Sequence, residues 1–115
     1  MITTINKADR LSSSDEKHIA KLDGKKTKTI KKLYKKLGSR LEFPEYFGNN
    51  LDAFADMLSD LSWLKAPHVI LYIKNMEYFL SEENEERRNI ITEIFIEAVT
   101  GQIEEERTFE VVKVV

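Results

Sequence analysis

Asp52, Asp56 and Asp60 recur at every fourth position, and Tyr46 precedes them in a short stretch rich in aromatics and asparagine. On an α-helix an i, i+4, i+8 spacing stacks side chains along one face, so the three carboxylates would form an acidic ridge. Asp52 would lie in the first turn, where the helix dipole favours a negative charge. The segment Pro44 to Gly48 reads as a tight loop in which Gly48 is free to take a positive φ. Asn49 or Asn50 is suited to cap the helix that follows. Tyr46, exposed on that loop, would offer a flat ring and a hydroxyl beside the carboxylates. An aromatic next to a row of carboxylates imitates a nucleotide, a base with its phosphates. The same carboxylates in pairs have the chemistry of a general acid and base. Three aspartates on a helix are also what an ordinary solvated face looks like, and spacing alone favours that reading.

The rest of the chain offers little catalytic chemistry. Its four glycines, Gly24, Gly38, Gly48 and Gly101, are scattered and build no phosphate-binding loop. His18 and His68 each stand at the start of an expected strand, without ligand spacing, and read as edge or packing residues. No serine or threonine sits in a nucleophile-elbow context. Cysteine is absent, which removes disulfides and thiolate zinc sites. The reading is a protein that is not an enzyme and needs no cofactor or metal.

The positioning elements follow from hydrophobic spacing. His18 to Asp23 is a short candidate strand closed by Gly24. Ile30, Leu33, Tyr34, Leu37 and Leu41 describe an amphipathic helix over 29–41, and Leu51, Phe54, Leu58 and Leu61 describe a second. Pro67 leads into Val69 to Ile73, an unbroken apolar run that suits a central strand buried on both faces. Ser81 is placed to cap a third helix with the stripe Ile90, Ile91, Ile94, Phe95, Ala98 and Val99, and Gly101 to stop it. Phe109 to Val115 supplies a last strand. Strands separated by helices imply crossovers and a parallel sheet: an α/β fold of three parallel strands near 18–23, 69–74 and 109–115. Residues 1–16 are polar, contain Ser12-Ser13-Ser14, and read as an N-terminal extension.

The 115 residues suffice for one domain, with 42% hydrophobic and 33% charged residues. No run reaches the roughly 20 apolar residues of a membrane span, and residues 1–16 have no apolar core of a secretory signal. The expected compartment is the cytoplasm. The net charge of −2 hides a segregation. Residues 17–40 carry ten Lys/Arg against one acid, whereas residues 41–115 carry six against sixteen. A basic side and an acidic side are expected, with the lysine helix facing away from the carboxylates, and either side could steer a charged partner. Lys31, Lys32, Lys35 and Lys36 could lie along nucleic-acid phosphates, but no set of base-reading side chains accompanies them.

The run PEYFGNNLDA from Pro44 to Ala53, followed by Asp56, resembles the signature of the barstar family, intracellular inhibitors of secreted ribonucleases. Trp63 and Pro67 ahead of the strand Val69 to Lys74 match that family's Trp and Pro at the same mutual spacing. A strand ending in Leu22, Asp23 and Gly24, then an amphipathic helix, matches as well. The resemblance covers residues 17–115 and implies a barstar-like three-layer fold, with a three-stranded parallel sheet and three to four helices. It implies partner-binding positions at Tyr46, Asn50, Asp52, Asp56 and Glu97, with Asp56 the anchor that replaces a substrate phosphate in the nuclease active site. Three departures stand out: Ala55 where the family has a large aromatic, Val99-Thr100-Gly101 where it has another acid, and a two-residue insertion between Ser59 and Pro67. The implied partner is an extracellular or contact-delivered ribonuclease toxin, bound one to one, with neither nucleic acid nor membrane involved. A toxin of a different class, or a nucleic-acid-binding role for the helix 28–40, are the alternatives.

Overall fold

The computed structural model describes residues 2–5, 16–104 and 107–115. The order of elements is β1 (Ile2–Ile5), β2 (Lys17–Asp23), α1 (Ile30–Arg40), α2 (Leu51–Asp60), β3 (His68–Lys74), α3 (Glu85–Glu104) and β4 (Thr108–Val114), with short 3-10 turns at Gly24–Lys26 and Met76–Tyr78. The three expected strands are present and parallel, with β3 between β2 and β4. In addition β1, from within the segment read as a polar extension, pairs in parallel with β4 and makes the sheet four-stranded. Four residues are too short a run to show a period, so this strand had no signal of its own in the sequence.

The register explains the core. Ala20 pairs with Leu71 and Leu71 with Val111, while Val69 pairs with Phe109, so these side chains share one face of the sheet. That face joins the buried stripes of all three helices in a single cluster. Leu33 and Leu37 come from α1, Phe54 and Leu58 from α2, and Ile91, Phe95 and Ala98 from α3. On the opposite face Ile70 and Val112 are buried too, so β3 is the two-sided central strand its sequence suggests.

Helix ends differ in part from the expectations. Thr29 caps α1 by accepting from the Lys32 N–H at 3.2 Å, and the Glu83 carboxylate accepts the Ile30 N–H at 2.7 Å across 53 residues. For α3 the cap is Asn84, whose Oδ1 accepts from the Arg87 N–H at 2.8 Å, and not Ser81, which sits in the preceding turn. Gly101 does not stop α3, which runs on to Glu104. One exposed glycine near a helix end costs only about 1 kcal/mol relative to alanine, and the helix continues through it.

At the ends of β2 and β3 two loops meet closely. Gly24 is buried, and a Cβ there would overlap the Asn75 carbonyl oxygen. Asn75 itself has φ 51° and donates from Nδ2 to Asp23 Oδ1 at 2.9 Å, while the Lys25 N–H donates to the same oxygen at 3.0 Å. The Asn75 bond is the main reason the Asp23 carboxyl lies below its ordinary 3.8, against partial desolvation, with the Lys25 N–H, Lys74 and Lys26 assisting.

Two predictions follow from this packing. Phe54→Ala, at a position with no solvent exposure, should cost about 3–5 kcal/mol in chemical denaturation. For Asp23 the folded state holds the proton less tightly than the unfolded state. Its contribution is therefore complete above the unfolded value near 3.8 and is lost as pH falls through the lower folded value. Denaturation curves of the parent and Asp23→Asn should differ most near neutral pH and converge below pH 3.8.

Candidate functional site

An aromatic platform sets the position of the loop and the acidic helix. Phe54 on α2 lies 5.4 Å from Tyr34 of α1, 6.2 Å from Phe43 and 6.3 Å from Phe95 of α3, between ring centroids. Phe47 packs edge-on against Tyr34 and Phe43, at 5.4 and 5.0 Å. Phe43 meets Trp63 edge-on at 6.1 Å, and the Trp63 indole N–H donates to the Leu41 carbonyl at 2.9 Å. With Phe43 and Phe47 turned inward and the Phe47 N–H closing a turn onto the Pro44 carbonyl at 3.0 Å, Tyr46 projects outward and is 68% exposed. Burial of Tyr34 itself raises the affinity of its hydroxyl for the proton, with Arg87 opposing this and Glu83 adding to it.

The turn into α2 is made by two asparagines. Asn49 has φ 50°, whereas no glycine, Gly48 included, has a positive φ. Asparagine tolerates this region because its short polar side chain bonds locally. Asn50 is the cap: its Oδ1 accepts from the Ala53 N–H at 2.8 Å, and its Nδ2 reaches the Gly48 carbonyl at 3.4 Å. Much of its bonding capacity is thus committed to shaping the loop.

Along α2, Phe54, Met57 and Leu58 are buried, while Asp52, Asp56 and Asp60 are exposed. Among the described residues no lysine, arginine or histidine pairs with any of the three. Helical rise places successive members about 6 Å apart along the axis, a ridge of about 12 Å. Asp52 is in the first turn, and the last turn holds no basic residue. Asp60 Oδ1 accepts from the Ser62 N–H at 3.2 Å. On α3, Glu97 is exposed beside the buried Ala98, and Glu93 is exposed one turn earlier. The Phe54–Phe95 contact joins α2 to α3 and so places Glu97 on the helix neighbouring the ridge. Glu93 escaped the sequence reading, although its i, i+4 relation to Glu97 was there to be seen.

Two further features were not legible. Arg107, just before β4, donates from Nη2 to the carbonyls of Leu61 at 2.8 Å and Leu64 at 2.9 Å, gripping the chain as it leaves α2. Leu61, the C-cap, sits at φ 52° under this grip. The lysine helix, moreover, does not turn wholly away from the carboxylate side: Lys31, Lys32 and Lys35 share a shallow cleft with Asn49 of the loop. Both histidines are packing residues. His18 Nε2 bonds the Arg40 carbonyl at the end of α1, and His68 Nδ1 bonds Thr108 Oγ1, each at 2.8 Å. Among the described residues no cluster could hold a metal, and no helix is long and apolar enough to cross a membrane.

Comparison with known proteins identifies related sequences. The family model described as Barstar (barnase inhibitor) matches residues 17–114. A Bacillus subtilis (strain 168) protein named "Putative ribonuclease inhibitor YrdF" is 39% identical over 57 residues. That match covers 50% of this chain and 59% of the relative.

The cap generates a prediction of its own. Asn50→Ala should cost about 1 kcal/mol of stability, and Asn50→Asp, which keeps an acceptor for the Ala53 N–H, should cost much less. Thermal or urea denaturation of the two variants checks this.

Proposed function

The chain belongs to the barstar family, and from that membership we propose that it is an inhibitor, or immunity protein, that covers the basic active site of a ribonuclease toxin with its acidic helix. The observation that carries the proposal is the ridge itself: Asp52, Asp56 and Asp60 stand exposed on a helix anchored by Phe54 and Leu58, with no cation of the described chain neutralising them. A ribonuclease must hold phosphates with cationic groups, and a row of carboxylates on a rigid helix is complementary to that need.

In this reading Asp56 occupies the centre of a one-to-one contact, in the place of a substrate phosphate. Tyr46 lays its ring beside it, and Asp52 and Glu97 meet cations at the rim. Asn50 acts mainly by holding the loop in shape. Long-range attraction between the acidic face and the basic cleft speeds encounter, and the desolvated centre slows release. Inhibition is by occlusion, without cofactor or chemistry on the inhibitor. Ala55 and the lengthened loop after Ser59 alter the rim and so bear on which nuclease is matched. A cytoplasmic location fits a protein that guards its own cell against such a toxin.

Titration of ribonuclease activity and binding kinetics, with the cognate toxin or a barnase-like nuclease, tests this. Asp56→Ala should fold normally, because the residue is exposed and its carboxylate forms no ion pair among the described residues. It should weaken the complex about a hundredfold or more, since the nuclease cations it meets would be left buried and unpaired. Asp52→Ala and Glu97→Ala should cost less, mainly through slower and less salt-sensitive association. Undiminished binding by Asp56→Ala would place the contact elsewhere on the molecule.

A further inference from the structure

Away from the acidic ridge, a cleft of about 510 Å³ opens where the parallel strands end. Asp23, Lys74 and Val114, the last residues of β2, β3 and β4, line it together with Lys26 from the first 3-10 turn and Lys36 and Arg40 from α1. Among the described residues that line it, Asp23 is the one carboxylate against Lys26, Lys36, Arg40 and Lys74.

That carboxylate does little to balance them. Asp23 Oδ1 is already taken by the Asn75 amide and the Lys25 N–H. Lys26 and Lys74 lie near enough to lower its proton affinity, yet neither they nor Lys36 and Arg40 form an ion pair within the described residues. Like charges from three separate elements thus converge on one concavity, where low-dielectric walls focus their field. Cations crowded in this way repel one another, and a multiply charged anion would relieve that repulsion. We propose that the cleft formed by Lys26, Lys36, Arg40 and Lys74 is a binding site for a small ligand carrying adjacent phosphate groups. Lysines act there as point charges, and the Arg40 guanidinium can grip two phosphate oxygens at once. The phosphates could belong to a free polyphosphate chain or to a nucleoside triphosphate. The cleft's size and concavity favour such a compact anion over a polymer lying across the surface.

The test is calorimetric titration of the full chain with sodium tripolyphosphate and with a nucleoside triphosphate, alongside amide chemical-shift mapping. Saturable one-to-one binding is expected, with shifts gathered at Lys26, Lys36, Arg40 and Lys74. Equal affinity for the two ligands identifies the phosphate chain as the whole determinant, and tighter binding of the nucleotide identifies a nucleotide site. The double variant Lys36→Gln/Arg40→Gln should weaken binding about tenfold or more. Lys31→Gln/Lys32→Gln removes the same charge from the same helix outside the cleft and should weaken it less than about threefold. Lys74→Gln, on β3, repeats the measurement from a different element in case the helix variant is unstable. Absence of saturation, equal losses in the two double variants, or equal binding of an RNA oligonucleotide lacking terminal phosphates would overturn the site in favour of diffuse surface attraction. Ribonuclease inhibition is read separately and does not depend on this outcome.

Discussion

Phe54 has no solvent exposure and meets rings from three directions: Tyr34 on α1, Phe43 at the base of the loop, and Phe95 on α3. Each contact fixes a different neighbour of the acidic helix. Tyr34 and Phe43 in turn hold Phe47, whose inward position leaves Tyr46 pointing out. Phe95 continues the chain of rings to Phe109 at 6.4 Å, tying α3 to β4 beneath it. Because aromatic interiors are close-packed and resist small displacements, the exposed carboxylates inherit a rigid base. Their geometry is set by apolar contacts that do not themselves involve charge.

That division matters because the ridge is electrostatically unfavourable where it stands. Asp52 benefits from the N-terminal end of the α2 dipole, but Asp60 lies in the last turn, where negative charge is disfavoured and no basic side chain compensates. A helix selected only for stability would carry lysine or arginine there. The burial of Phe54, Met57 and Leu58 and the Asn50 cap hold α2 in place despite that repulsion. Arg107 donates instead to the carbonyls of Leu61 and Leu64 beyond the helix end. The three carboxylates remain exposed, with no ion pair among the described residues.

Much of this was legible from spacing, and the exceptions have physical reasons. The stripe Ile30, Leu33, Tyr34, Leu37 and the run Val69 to Ile73 declared α1 and β3 because burial selects apolar residues at the period of the element. Element ends were less readable, since several residues can make the same bond. Ser81 and Asn84 are both good caps, and the backbone bonds of Leu80 to Thr27 and Glu82 to Lys28 hold residues 80–82 against another loop, leaving Asn84 to begin α3. Likewise Asn49 rather than Gly48 took the left-handed turn. Of the site residues, Tyr46, Asp52, Asp56 and Glu97 lie exposed, as the sequence implied. Asn50 is one of the two caps the sequence offered, and only the fold shows that its Nδ2 also turns back to the Gly48 carbonyl. Contacts across long separations, such as Trp63 to Leu41 and Arg107 to Leu61, leave no local pattern at all.

The segregation of charge along the chain gains its meaning only when folded. The basic residues from Lys17 to Arg40 lie on β2, on α1 and on the segment that joins them, at one edge of the sheet, while α2 and α3 carry the carboxylates. The two regions meet at the loop, where Lys31, Lys32 and Lys35 face Asn49 across a shallow cleft. A nearly neutral chain arranged in this way acts on a charged partner through the fields of its two faces rather than through its net charge. An approaching cationic surface is drawn to α2 and repelled by α1 within about one Debye length, roughly 8 Å at physiological salt. If α2 is the docking face, as proposed, the lysines restrict the orientations in which a basic protein can dock, and the basic side of the molecule then bears on specificity without touching the partner.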